Sequence, residues 1–279
     1  MVLAVLRGLS CRLRRLRFNP MWARRAAQAQ CCLALSLLSS QSMAQTVQVQ
    51  KDPAAIAAIK LALKSMGGQP TITGVSDATF IGQYQGSATS ASDSGQVTWK
   101  SIGVSVRCDT SSVTGGSTFT KQNGSGFVES TSGNVTPMDS RLALTLYPFH
   151  LPSVVLLYLV NDPNHSLAVV QDTGSTPNIV HIRTQVQMGN AALTSVTQQD
   201  WYIDTNLGLP TRVTYYLPNT TNPALDGTAS IIFSSWQTTS SSYSPRDIQI
   251  LNNGTQVSSV HFGAPQFNLG LQSAIFQLP

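Results

Sequence analysis

Two spacings of apolar residues follow one another along the chain. Ile56, Ile59, Leu63 and Met66 recur at helical spacing, with Asp52-Pro53 in front of them and Gly67-Gly68 behind. A carboxylate cap, a proline at the first helical position and a glycine stop predict a helix resting one narrow stripe on something apolar. From about residue 76 the period becomes two. Val180, Ile182, Val186 and Met188 alternate with His181, Arg183, Gln185 and Gln187, and Val213, Tyr215 and Leu217 alternate with Arg212, Thr214 and Tyr216. Such segments are strands with one wet face, hence antiparallel. Asn123-Gly124 and Asn253-Gly254 separate further runs of this kind and predict tight hairpins. Val97 and Trp99 fall on one parity and Ile102, Val104, Val106 and Cys108 on the other, which predicts a β-bulge near Lys100-Ser101. The pattern yields about ten strands, more than a twisted sheet usually holds without curling.

One stretch breaks the alternation. Leu142 to Val160 carries no charged residue over 19 positions, the length of a membrane span. Pro148, His150 and Pro152 in its middle, and strand patterning on both sides, argue against a span. Two short helices, Asp139–Tyr147 and Pro152–Val160, are expected instead. Val154 to Val160 is apolar all round, so the second must be covered on most sides.

The N-terminus changes how charge is read. Arginines at positions 7, 12, 14, 15, 17, 24 and 25 precede the apolar run 32–38, and Ser42-Met43-Ala44 offers small residues for cleavage. This is the order of a secretory signal, so residues 1–44 are expected to be removed, with Met21 as an alternative start and the general secretory route as the path. The segment holds seven of the 17 basic residues and none of the 12 acidic ones. Ten bases then face twelve acids, a net −2, and the formal +5 of the whole chain no longer argues for nucleic acid. Cys11, Cys31 and Cys32 leave with the signal, so Cys108 has no disulfide partner. About 235 residues, 45–279, are expected to fold as a single β-rich domain on core packing alone.

Candidate chemistry adds little. His150, His165, His181 and His261 lack ligand spacing, and no metal or other cofactor is implied. His181 and His261 fall on polar parities and read as surface residues, whereas His150, between the two apolar helices, is either a functional histidine or a buried, hydrogen-bonded one. Gly124-Ser125-Gly126 sits in a hairpin turn and lacks both the nucleophile-elbow form and a third glycine for a dinucleotide loop. Asp109, Glu129, Asp172 and Asp200 are the acids from which a glycosidase pair would come, and nothing singles them out. Cys108 lies on an apolar parity as a small core residue.

The C-terminal third resembles a known family. Residues 200–213, Asp-Trp-Tyr-Ile-Asp-Thr-Asn-Leu-Gly-Leu-Pro-Thr-Arg-Val, look like the strand, turn and returning strand of the periplasmic outer-membrane lipoprotein carrier family (LolA/LolB-like). Residues 231–236, Pro245-Arg246-Asp247-Ile248, and Asn268, Leu271, Phe276 and Pro279 resemble its closing strands and tail, and the capped helix after the signal fits as well. The glycine usual before the proline of the Pro245 strand is replaced by serines. The resemblance implies a mainly β (α+β) fold, a strongly curved antiparallel half-barrel sheet with helices over the concave face, and a habit of holding acyl chains there. Three readings follow. The first is a non-enzymatic, periplasmic or secreted protein that binds a lipid, lipoprotein acyl chain or other hydrophobic molecule, with transient contact to a membrane surface and no nucleic acid. Its candidate ligand contacts lie at Thr145, Tyr147, Phe149, Val155, Leu156, Tyr158 and Leu159. The second is an envelope module with a filled core, and the third a hydrolase.

Overall fold

The computed structural model describes residues 49–86, 94–112, 115–171, 176–219, 221–239 and 242–277. The expected targeting segment and Asp172 lie outside the described residues. Helix α1, Pro53–Ser65, starts as its sequence dictates: the Asp52 carboxylate accepts from the Ala54 N–H at 2.8 Å. It stops where Gly67 and Gly68 take positive φ and the Gly68 N–H returns to the Leu63 carbonyl. Ala55, Ile59, Ala62, Leu63 and Met66 are buried, and Ile56 is only half-buried at the edge of the stripe. Full burial of each large side chain contributes roughly 1.5–3 kcal/mol. A short helix α2, Gln69–Thr73, follows.

The strands run β1 Ala78–Gly86, β2 Ser94–Ile102, β3 Ser105–Ser112, β4 Gly115–Gln122, β5 Ser125–Glu129 and β6 Val135–Pro137. Helices α3, Ser140–Thr145, and α4, Pro152–Asn161, come next. The chain then makes β7 His165–Val170, β8 Ile179–Val186, helix α5 Ala191–Val196, β9 Gln199–Asp204 and β10 Leu209–Leu217. It ends with β11 Gly227–Thr239, β12 Ser242–Asn252, β13 Thr255–Phe262 and β14 Gln266–Phe267. They form one antiparallel 14-stranded sheet in the order β6-β5-β4-β3-β2-β1-β13-β12-β11-β10-β9-β8-β7, with β14 beside β1. The count exceeds the ten expected partly because β6 and β14 have three and two residues, too few for a period to register.

The sheet is open, with β6 and β7 as its two ends. Its curvature follows from one helix: α3 touches both β5 and β10. Those strands are eight spacings apart in the sheet order. A flat sheet would set them ~38 Å apart at ~4.8 Å per spacing. A six-residue helix is only ~9 Å long, so the sheet must curl around it. Residues 138–164, which carry α3 and α4, cross from the β6 edge to the β7 edge, and α1 packs on α4, β7, β9 and β10. The result is the half-barrel with helices over its concave face that the resemblance implied. Close strand approach at the bends needs glycine: a Cβ on Gly95 would lie 1.9 Å from the Ser111 carbonyl oxygen.

Several expectations are corrected. The parity slip near Lys100-Ser101 is no bulge, since Trp99 pairs with Cys108 and Ile102 with Ser105 across a tight turn at Gly103-Val104. A two-residue hairpin reverses the strand and restarts the alternation, which mimics a slip. The strand expected to reach Met188 stops at Val186. The charge-free stretch forms α3 and α4 near their expected bounds, and among the described residues no helix is long and apolar enough to cross a membrane. Both Asn-Gly turns are present, with positive φ at Asn123, Gly124, Asn253 and Gly254, the signature of the tight turn that matches strand twist.

Candidate ligand-binding site

Helix α3 is pinned at its start. Asp139 caps it by accepting from the Arg141 N–H, and the Arg141 guanidinium bonds the Asp139 and Asp226 carboxylates, the Tyr216 hydroxyl and the Asn219 carbonyl. The neighbouring guanidinium holds the Asp139 carboxyl below the usual carboxylate range. With the start fixed, Leu142 and Leu146 roof a cavity of about 310 Å³ whose walls include Trp99, Phe119, Tyr147 and Phe149. Tyr215 and Ile231 of the opposite flank also line it, so the space lies between the two arms of the sheet. Aromatic contacts stiffen the walls: Phe149 stacks on Tyr215 at 4.9 Å and Trp99 meets Phe119 edge-on at 5.7 Å. The size is at the low end of small-molecule sites, about 300–1,000 Å³.

The sequence candidates divide. Tyr147 and Phe149 line the cavity, whereas Val155, Leu156 and Leu159 are wholly buried in the packed core formed by α4. Thr145 is buried and turns its hydroxyl back to the Leu142 carbonyl at 3.0 Å. Tyr158 stands beside Tyr147 and His165 at the far end of α4. Trp99, Phe119, Leu142, Leu146 and Tyr215 were missed as site residues, because only tertiary contact separates a cavity wall from ordinary core.

A polar cluster adjoins one wall. Tyr147 Oη lies 3.4 Å from His165 Nε2, and His165 Nδ1 lies 2.7 Å from Asp162. Burial pushes the His165 imidazole down, partly countered by Asp162. Burial works to raise the Asp162 carboxyl, but hydrogen bonds from the Asn164 N–H, Tyr158 and His165 hold it below the usual range. Lys51 donates to the Val160 and Asp162 carbonyls at the C-terminal end of α4, where a cation complements the helix dipole. Lys121 lies on the same inward parity of β4 as Phe119, with its ammonium 4.4 Å from the centre of the Tyr147 ring. That alternation was its one sequence signal.

Among the described residues the other candidate groups are engaged separately. His150 is fully buried with Phe80, Trp99 and Phe262 around it, but neither ring nitrogen has a hydrogen-bond partner, which corrects the hydrogen-bonded reading. His181, expected at the surface, is buried at 7% exposure under Tyr202 and bonded to Asp200, because the Tyr202 ring stacks on it. His261 is exposed as expected and bonded to Asp247. Asp109 is engaged by Arg107, Lys100 and Thr118, and Asp200 by Arg183 and His181. Asp109 and Glu129 share one cross-strand row with Thr118 between them, away from Asp200 on β9. Cys108 is buried, and burial pushes its thiol well up. Among the described residues no group of three or more His, Cys, Asp and Glu could hold a metal ion.

No family model matches the chain, and no curated protein sequence matches it. Among solved structures, the LolA superfamily protein of Nitrosomonas europaea is 8% identical, with a TM-score of 0.49 over 80% of this chain and 97% of its own. The lipoprotein LppX of Mycobacterium tuberculosis is 11% identical, with a TM-score of 0.27 over 80% of this chain and 99% of its own. A DUF1329 family protein of Desulfovibrio piger is 10% identical, with a TM-score of 0.52 over 81% of this chain and 98% of its own. The chain thus shares the fold of the DUF1329 family protein, an open and mostly antiparallel sheet with few helices.

Proposed function

We propose that this is an exported, non-enzymatic protein of the cell envelope that shelters an apolar molecule, of the class of a lipid or a lipoprotein acyl chain, in the cavity beneath α3. The observation that carries this reading is the cavity itself. Beside a core that buries Trp201, Phe80, Phe262 and Leu156 completely, aromatic and aliphatic side chains leave about 310 Å³ that is partly open to solvent, with Ser117 and Val128 exposed at its edge. A partly open, concave space walled mainly by apolar side chains leaves apolar surface that an apolar ligand would cover. A filled-core envelope module is the rival, favoured by the complete burial of Val155, Leu156 and Leu159.

The two readings part on a neutral apolar dye such as N-phenylnaphthylamine. The wild-type protein is expected to take it up saturably, and Leu146→Trp, which places a larger side chain in the roof, is expected to weaken uptake at least tenfold while the melting temperature holds. A wild-type protein that takes up no dye, or a Leu146→Trp variant that takes it up equally well, would leave the filled-core module as the better account.

A further inference from the structure

Lys121 is a charged group with nothing of opposite charge to answer it. Only 5% of the residue is exposed, and since the ammonium nitrogen is not among the fully enclosed polar atoms that lack a partner, it keeps a small opening. Among the described residues no carboxylate lies within ion-pair distance of it and no acceptor is hydrogen-bonded to it; its one close polar contact is the face of the Tyr147 ring. The nearest acidic group of the cluster, Asp162, is already taken by His165 and Tyr158. Burial without a counter-ion pushes the ammonium down to about 8, so it is still mostly charged at neutral pH. An ion pair is what normally makes a buried charge tolerable, and a ring face replaces only part of it.

The position of this charge relative to the cavity is specific. Phe119 and Lys121 are alternate residues on the inward face of β4, ~7 Å apart along the strand, and Phe119 lines the cavity. Tyr147 belongs to both places, as a wall of the cavity and as the ring beneath the ammonium. The flexible four-carbon stem of a lysine lets Nζ turn past the edge of that ring while its three donors remain free. Lys121 does not itself line the cavity, but its ammonium lies over Tyr147, which does, so an apolar space with one ammonium a side chain away has the polarity of an acidic amphiphile, turned inside out.

We infer that the cavity takes a single-chain amphiphile with a carboxylate head, of the fatty-acid class, whose chain lies among Phe119, Leu146 and Phe149 and whose head pairs with Lys121. This rests on the proposed apolar-ligand function and adds the head group to it. One ammonium balances one negative charge, which favours a carboxylate over a doubly charged phosphate monoester.

The test compares dodecanoic acid with its methyl ester at pH 7 by calorimetry, on the full protein. The acid is expected to bind at least tenfold tighter than the ester. Lys121→Met should abolish that preference, and Lys121→Arg should retain it. The comparison on wild-type protein stands whether or not the variants fold. Equal binding of acid and ester, a tighter ester, or a preference that survives in a folded Lys121→Met variant would overturn the inference. Binding of neither chain would overturn it as well. Uptake of the neutral dye separates the two failures: dye uptake without a preference for the acid sinks only the head-group assignment, and no uptake of dye or chain sinks the cavity function too.

Discussion

Position 150 isolates the effect of burial on one side chain. His150 is closed in by Phe80 at 4.9 Å and Trp99 at 4.8 Å, and burial pushes its imidazole down to about 3 from an ordinary 6.5. A base whose folded pKa is depressed contributes its full stability above the unfolded value and loses it as pH falls toward the folded one. Stability should therefore decline below pH 6.5, by about 1.4 kcal/mol per pH unit in the steep part between roughly 6 and 3.5. His150→Leu should flatten that part of the curve, and melting temperatures of both proteins between pH 7 and 5 check it. An unchanged slope in the variant would show that His150 carries no such penalty. The sequence shows why such a residue can be half understood in advance. Its place between two apolar helices revealed burial, but whether a partner waits there depends on β1, β2 and β13, remote in the chain. Lys121 was overlooked for the same reason, since a lysine on an inward parity reads as an ordinary strand residue until the opposite wall is known.

Turns and helix ends were the most legible elements, because their chemistry is local. In the β12–β13 hairpin Asn253 and Gly254 have φ of 49° and 79°, and the Asn253 side chain also accepts from the Thr228 N–H at 2.9 Å. Gly254→Val forces a β-branched residue into the left-handed region and should cost about 1 kcal/mol or more, read as a lower melting temperature. Equal melting temperatures would mean that this turn does not need its glycine. The Gly103-Val104 turn escaped detection because it lacks the Asn-Gly signature, and its effect on parity was taken for a bulge. The strand, turn and strand of residues 200–213 form β9 and β10, with Asp204 accepting from the Asn206 and Leu207 N–H groups and Gly208 at φ 65°. Those interactions lie within a few residues of each other, which is why that stretch could be recognised.

At the scale of the molecule, the half-barrel came from the resemblance, and the strand order from neither the resemblance nor the pattern. Alternation reports which face of a strand is dry, but carries no information about which strand lies beside it. The central join illustrates this: β1 pairs with β13, through Tyr84 with Val260 and Gly82 with Phe262, across nearly the whole sequence. The six strands β1–β6 and the seven strands β7–β13 are each built from sequential neighbours and meet only there. That join sets a timetable for the growing chain. Until residues 255–262 emerge, β1 presents an unpaired edge on one half and β12 an unpaired edge on the other, each open to a wrong partner. A chain ending before Thr255 should fail to form the single sheet and should aggregate, as sedimentation and amide exchange would reveal; a monomeric, protected truncation would refute this. The export proposed above accords with this order of assembly, since before its last long strand is made the chain has no finished sheet to unravel.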